Sequence, residues 1–138
     1  MKLIVPFLFI AISMQAQTSI LGKWRTVDDA TGEIKSVVEI FESNGRFHGK
    51  IVTIFVAADP DPICEKCPED DDRYQKKIIG MEIIKNLKKS GLEYNEGDIL
   101  DPEDGRIYRC KLWIEGGDLK VRGYWGPFYR TQTWRKST

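Results

Sequence analysis

Three cysteines and a single histidine are the residues of this 138-residue chain with the widest chemical reach. Cys64 and Cys67 form a C-x-x-C pair in a Pro-rich stretch, and Cys110 stands apart in an alternating apolar run. An odd number of thiols leaves one unpaired or joined to another chain. In an oxidising compartment the near pair joins, Cys64 to Cys67, and Cys110 stays a buried thiol behaving as a small hydrophobe beside Tyr108, Leu112 and Ile114. The alternative is a bridge from Cys110 to one loop cysteine, which would tether that loop. Thioredoxin-like redox chemistry needs a thiolate at a helix N-terminus inside a βαβ pattern, whereas Pro62 and Pro68 flank a loop here. Zinc would draw on Cys64, Cys67, Cys110 and His48, but the positions of Cys110 and His48 fit no structural zinc spacing. His48 reads as a surface or barrel-rim residue, and neither a metal nor a cofactor is expected.

The remaining charged clusters have bland readings. Asp59, Asp61, Glu65, Glu69, Asp70, Asp71 and Asp72 crowd one loop but lack the alternating spacing and central glycine of a calcium-binding EF-hand. Lys85, Lys88 and Lys89 read as solvent-facing. A hydrolytic triad needs a histidine base, and His48 has no nucleophile motif around it. Phosphate-cradling glycine motifs are absent too. No catalytic residue is therefore assigned, and enzyme activity has little support. With 21 basic and 21 acidic residues the chain carries no electrostatic signature of nucleic-acid or anionic-membrane binding.

The elements that would hold these residues are strands. β-branched and aromatic residues alternate in short runs between Gly, Asn, Asp and Pro clusters, giving eight segments: Ile20 to Val27, Lys35 to Glu42, Arg46 to Val56, Ile78 to Lys89, Leu92 to Leu100, Arg106 to Glu115, Leu119 to Trp125 and Tyr129 to Arg135. The fourth segment also suits a helical face through Gly80, Ile83, Ile84 and Leu87; strand is preferred. Within the second, Val37 and Phe41 share one face and Val38 and Ile40 the other. Turn residues such as Ser43-Asn44-Gly45, Asp101 to Gly105, Gly116-Gly117-Asp118 and Gly126-Pro127 make most connections short, hence neighbouring antiparallel strands. One long loop, Ala57 to Lys77, interrupts the series with nothing regular predicted in it. Eight up-and-down strands close most economically into a barrel, which removes exposed edges.

The N-terminus reads differently. Lys2 followed by the apolar run Leu3 to Ile12 and the polar stretch Ser13 to Ser19 has the form of a signal peptide, too short to span a bilayer. Cleavage after Ala16 or after Ser13 is expected, so residues 1–16 are set apart from a single domain at 17–138. No cysteine lies near the cleavage region for a lipid anchor, so the expected product is periplasmic or secreted, with no membrane span. Removing the segment takes away Lys2 and leaves a balance of −1.

Gly22-x-Trp24 resembles the N-terminal signature of calycins, the lipocalin-like superfamily. There a tryptophan plugs one barrel end beneath an arginine from the final strand, a role that Arg130 or Arg135 would fill. More specific is the ordered series Ile99-Leu100-Asp101-Pro102-Glu103-Asp104-Gly105, Tyr108-x-x-Lys111-Leu112, Leu119-x-Val121-Arg122-Gly123-Tyr124 and Arg130-Thr131-Gln132-Thr133-Trp134, with Gly49-Lys50-Ile51-Val52 before it. From Leu21 onward the chain is similar to the domain of unknown function 2147 family, in a form resembling its Bacteroidetes branch. The resemblance implies an exported, calycin-like, all-β eight-stranded antiparallel barrel, and brings no activity, cofactor or catalytic residues.

Aromatic and polar side chains meeting at barrel closure mark the expected binding face: Trp24, Tyr108, Arg122, Tyr124, Arg130, Gln132 and Trp134, with Trp125 nearby. Eight-stranded barrels hold one small ligand, so the favoured reading is a binding module for a small apolar or lipid-like ligand. The competing reading is a filled interior and an envelope protein-interaction domain, with a contact patch at Trp125, Pro127, Phe128 and Tyr129. The expected mouth is bordered by Trp24, Arg130 and the cysteine-bearing loop.

Overall fold

The computed structural model describes residues 1–11, 19–55 and 57–137. Alternation and short turns produce the expected strands: β1 (Gly22–Val27), β2 (Ile34–Ser43), β3 (Arg46–Ile54), β4 (Glu82–Ser90), β5 (Glu93–Asp101), β6 (Arg106–Glu115), β7 (Asp118–Trp125) and β8 (Phe128–Lys136). Each pairs antiparallel with its sequence neighbour, and β1 closes on β8, giving a barrel in the order β1 to β8. The closing seam is the shortest, with only Trp24↔Lys136 and Arg25↔Arg135 in register.

Differences from the sequence reading are local. β4 begins at Glu82 and not at Ile78, because Gly80 takes φ +90° and the Met81 amide donates to the Ile78 carbonyl, turning the chain. In β2 a register shift between Val37 and Val38 lets both be buried, while Phe41 stacks on His48, ring centroids 5.5 Å apart. The long loop is more regular than expected: Ile63 bridges Lys77. The Cys64 amide donates to Lys76 O at 2.8 Å, and the Gln75 amide returns a bond to Cys64 O at 2.8 Å. The loop folds over the β5–β6 hairpin so closely that a Cβ on Gly105, which has φ +74°, would lie 1.6 Å from the Lys66 carbonyl oxygen. Only a residue without a side chain fits that backbone contact.

One end of the barrel is filled. Trp24, Ile40, Phe47, Leu87, Tyr94, Leu112 and Leu119 are buried in a continuous core, with Phe47 and Tyr94 edge to face at 4.8 Å. Residues 1–11 form no strand or helix and are exposed, so they add nothing to this core. The expected cleavage bonds after Ser13 and Ala16 lie outside the described residues. No helix among the described residues is long and apolar enough to cross a membrane.

Candidate functional site

The other end of the barrel is open. A cavity of about 700 Å³ lies between the strands there, beneath the β1–β2, β5–β6 and β7–β8 connections and part of the long loop. Its walls are mainly apolar: Ile51, Ile54, Ile83 and Ile99 from β3 to β5, Val121 from β7, Trp134 from β8, and Ile78 and Pro62 from the loop. Thr26, Ser36, Tyr108 and Gln132 add polar groups to the wall. The Trp134 Nε1–H donates to Gln132 Oε1 at 3.1 Å, placing one amide part-way down the wall.

The rim carries the charge. Asp28, Asp29, Asp101, Glu103 and Asp104 stand against Lys35 and Arg130. Arg130 donates through Nε and Nη2 to Asp29 Oδ2, at 2.9 and 2.6 Å. Lys35 lies against Glu103 and is 3.9 Å from Asp28. The Tyr108 hydroxyl donates to Asp104 Oδ2 at 2.9 Å, which with burial raises the phenol's pKa. Burial likewise raises the Asp101 carboxyl above the usual range, reinforced by Asp104 and Glu103 and opposed by the bond its Oδ1 accepts from the Glu103 amide and by the charge of Lys35.

These positions divide the residues expected to form a binding face. Tyr108, Arg130, Gln132 and Trp134 line the cavity. Arg122 and Tyr124 do not: they alternate with Val121, Gly123 and Trp125, which take the inward positions of β7. Arg122 instead lies on the outer surface over Trp113 and Tyr129, 4.9 and 4.3 Å from their ring centroids, and donates to Thr131 Oγ1. Trp24 sits in the filled end, and the cation above its ring is Lys136 at 5.4 Å, whereas Arg135 pairs with Asp118. The mouth is therefore bordered by Arg130 and the loop but not by Trp24. The sequence alone does not single out the rim carboxylates Asp28, Asp101 and Asp104, and the last two read there as turn formers. All three are that in the structure: their Oδ1 atoms accept the amides of Ala30, Glu103 and Arg106.

Cys64 and Cys67 are joined, as expected, which removes both thiolates from any metal set. Cys110 is free and buried, its thiol pushed up to about 12 by burial. A thiol needs its thiolate form to react. Alkylation of the folded protein, followed by non-reducing peptide mapping, is accordingly expected to leave Cys110 unlabelled until denaturant is added. Rapid labelling of native protein would contradict this.

A family described as an uncharacterized protein conserved in bacteria (DUF2147) matches residues 22–136. The chain belongs to this family. Among solved structures, the chain is similar to protein HP1028 from the human pathogen Helicobacter pylori, described as belonging to the lipocalin family. It superposes with a TM-score of 0.75 at 23% identity, covering 88% of this chain and 85% of that one. At that identity the likeness concerns fold. No curated protein matches the chain.

Proposed function

We propose that this DUF2147 protein is an exported, non-catalytic binding module that holds one small apolar or lipid-like ligand in the open end of its barrel. The observation that carries the reading is the cavity itself, about 700 Å³ and walled by isoleucine, valine and tryptophan. Ligand sites of about 300–1,000 Å³ with apolar walls and few polar groups are the rule. A lipocalin-like fold supports the reading. Export is supported by the N-terminal apolar run and by the Cys64–Cys67 disulfide, a bond that persists in oxidising compartments.

Gly123 offers the test. It lines the cavity, and a Cβ there would meet Tyr108 Cβ at an ordinary 3.6 Å, so a larger side chain grows into empty space. Gly123→Phe is expected to keep the fold and weaken binding of the neutral fluorophore phenylnaphthylamine by about tenfold or more, a loss of roughly 1.4 kcal/mol. Unchanged fluorescence titration would overturn the reading.

A second reading, an envelope protein-interaction domain, is favoured by Trp125, Phe128 and Tyr129, which are 65, 67 and 63% exposed on the β7–β8 hairpin. Trp125 and Phe128 also line the cavity mouth, which suits a ligand gate equally. If the hairpin serves only a protein partner, Gly123→Phe leaves that partner's crosslinking intact and the wild type binds no apolar probe.

A further inference from the structure

The cavity supplies a site, and the charges at its rim decide which end of a ligand it would welcome. Five carboxylates and two cations line the rim, both cations already engaged, Arg130 by Asp29 and Lys35 by Glu103 and Asp28, and Arg106 stands nearby over the Trp125 ring. Among the described residues Asp101 and Asp104 make no direct ion pair, and Lys35 acts on Asp101 only from beyond contact. Asp104 accepts from the Tyr108 hydroxyl and the Arg106 amide, and Asp101 from the Glu103 amide. The excess of carboxylates over cations leaves the lip of the cavity net negative, so that Asp101 and Asp104 repel one another and any incoming anion. A fatty-acid carboxylate would meet only cations whose charge Asp29, Glu103 and Asp28 already offset.

Resting on the reading of the cavity as a ligand site, we propose that its natural ligand class is an amphipathic amine or ammonium compound, with its hydrocarbon or aromatic body between Ile51, Ile83, Val121 and Trp134 and its cationic end at Asp101 and Asp104. The cation supplies the charge that the rim lacks, and an ammonium brings hydrogen-bond donors to oxygens that only accept. The partial desolvation of Asp101 works in the same direction, since a carboxylate that Lys35 offsets only in part gains from a closer positive charge.

The experiment displaces phenylnaphthylamine with three compounds of equal chain length, dodecylamine, dodecanol and dodecanoate, below their micelle concentrations at neutral pH. Dodecylamine is expected to bind about tenfold tighter than dodecanoate, with dodecanol between them, and to lose that advantage as salt screens the rim. Asp101→Asn with Asp104→Asn keeps the acceptor oxygens of both turns, and is expected to abolish the preference while dodecanol binding persists. Dodecanoate binding as tightly as dodecylamine overturns the proposal and leaves the cavity reading intact; binding of none of the three overturns both. If the double variant does not fold, the salt dependence of the wild type decides: a preference unaffected by salt counts against the rim.

Discussion

Replacing Trp24 by alanine is expected to cost about 3–5 kcal/mol of folding stability, the range for removing a large buried aromatic. The indole is 1% exposed in the filled end of the barrel, and its Nε1–H donates to the Ile20 carbonyl at 2.8 Å. Truncation leaves a void and strands that carbonyl. It also strikes the shortest seam, since among the described residues β1 and β8 share the register pairs Trp24↔Lys136 and Arg25↔Arg135, extended by the bond from the Ser137 amide to the Lys23 carbonyl. Lys136 over the indole helps to hold that seam, and a cation–π contact at an exposed site adds about 0.5–1 kcal/mol. Trp24→Phe retains most of the volume and the π face, loses the hydrogen bond, and is expected to cost about 1–2 kcal/mol. Urea unfolding measures both: the midpoint should fall with little change in slope. Because Trp24 is absent from the cavity wall, folded Trp24→Phe is expected to bind phenylnaphthylamine as the wild type does. A Trp24→Ala loss below about 1 kcal/mol would show that the plug does not hold the barrel shut.

Trp24 also shows how far the sequence could be read. The resemblance carried by Gly22-x-Trp24 implies a buried plug beneath an arginine; Trp24 is buried, but the cation above it is Lys136 and neither Arg130 nor Arg135. Which end it plugs is a matter of strand direction and register across the β1–β8 seam, and neither is written locally. The strands themselves were legible from their period of two and from turn residues such as Asn44-Gly45 and Gly116-Gly117, whose positive φ values the structure bears out. The face of each strand was less so. Arg122 and Tyr124 share one side of β7 and Val121 and Gly123 the other; pooling aromatic and polar residues across that alternation mixed wall with surface. The carboxylates of the rim were hidden for another reason. Asp101 and Asp104 cap the turn between β5 and β6, a sufficient local explanation that conceals what the barrel brings opposite them. Asp29 and Arg130, 101 residues apart in sequence, meet only because the sheet closes.

The long loop illustrates the same limit and yields the second large effect. Its acidic run read as a solvated surface, yet Arg73, 7% exposed, draws one aspartate inward. Arg73 Nε and Nη2 donate to Asp71 Oδ1 and Oδ2, both at 2.9 Å, while Nη1 donates to the Glu82 carbonyl at 2.9 Å. One guanidinium thus ties the loop to the first residue of β4, a two-sided fork that lysine cannot reproduce. Arg73→Ala is expected to cost about 3 kcal/mol, because it leaves Asp71 half-buried without its counter-charge, and Arg73→Lys should rescue little of this. The loop supplies Pro62 and Ile78 to the cavity wall, so apolar-probe affinity should fall with it.

The same pair fixes the acid behaviour. The hydrogen bonds from Arg73 hold the Asp71 carboxyl well below the usual carboxylate range, against the opposing effect of burial. A carboxyl lowered on folding contributes stability that is full above its unfolded value, about 3.9, and is lost as pH falls towards the folded one. Wild-type stability should therefore drop on acidification below about pH 4, and Arg73→Ala should be flatter across that interval, having little left to lose. Urea midpoints measured for both proteins through the acid range decide the matter. Parallel curves would mean that Asp71 titrates alike with and without its guanidinium, and that the loop is held by the disulfide and the Ile63–Lys77 bridge instead.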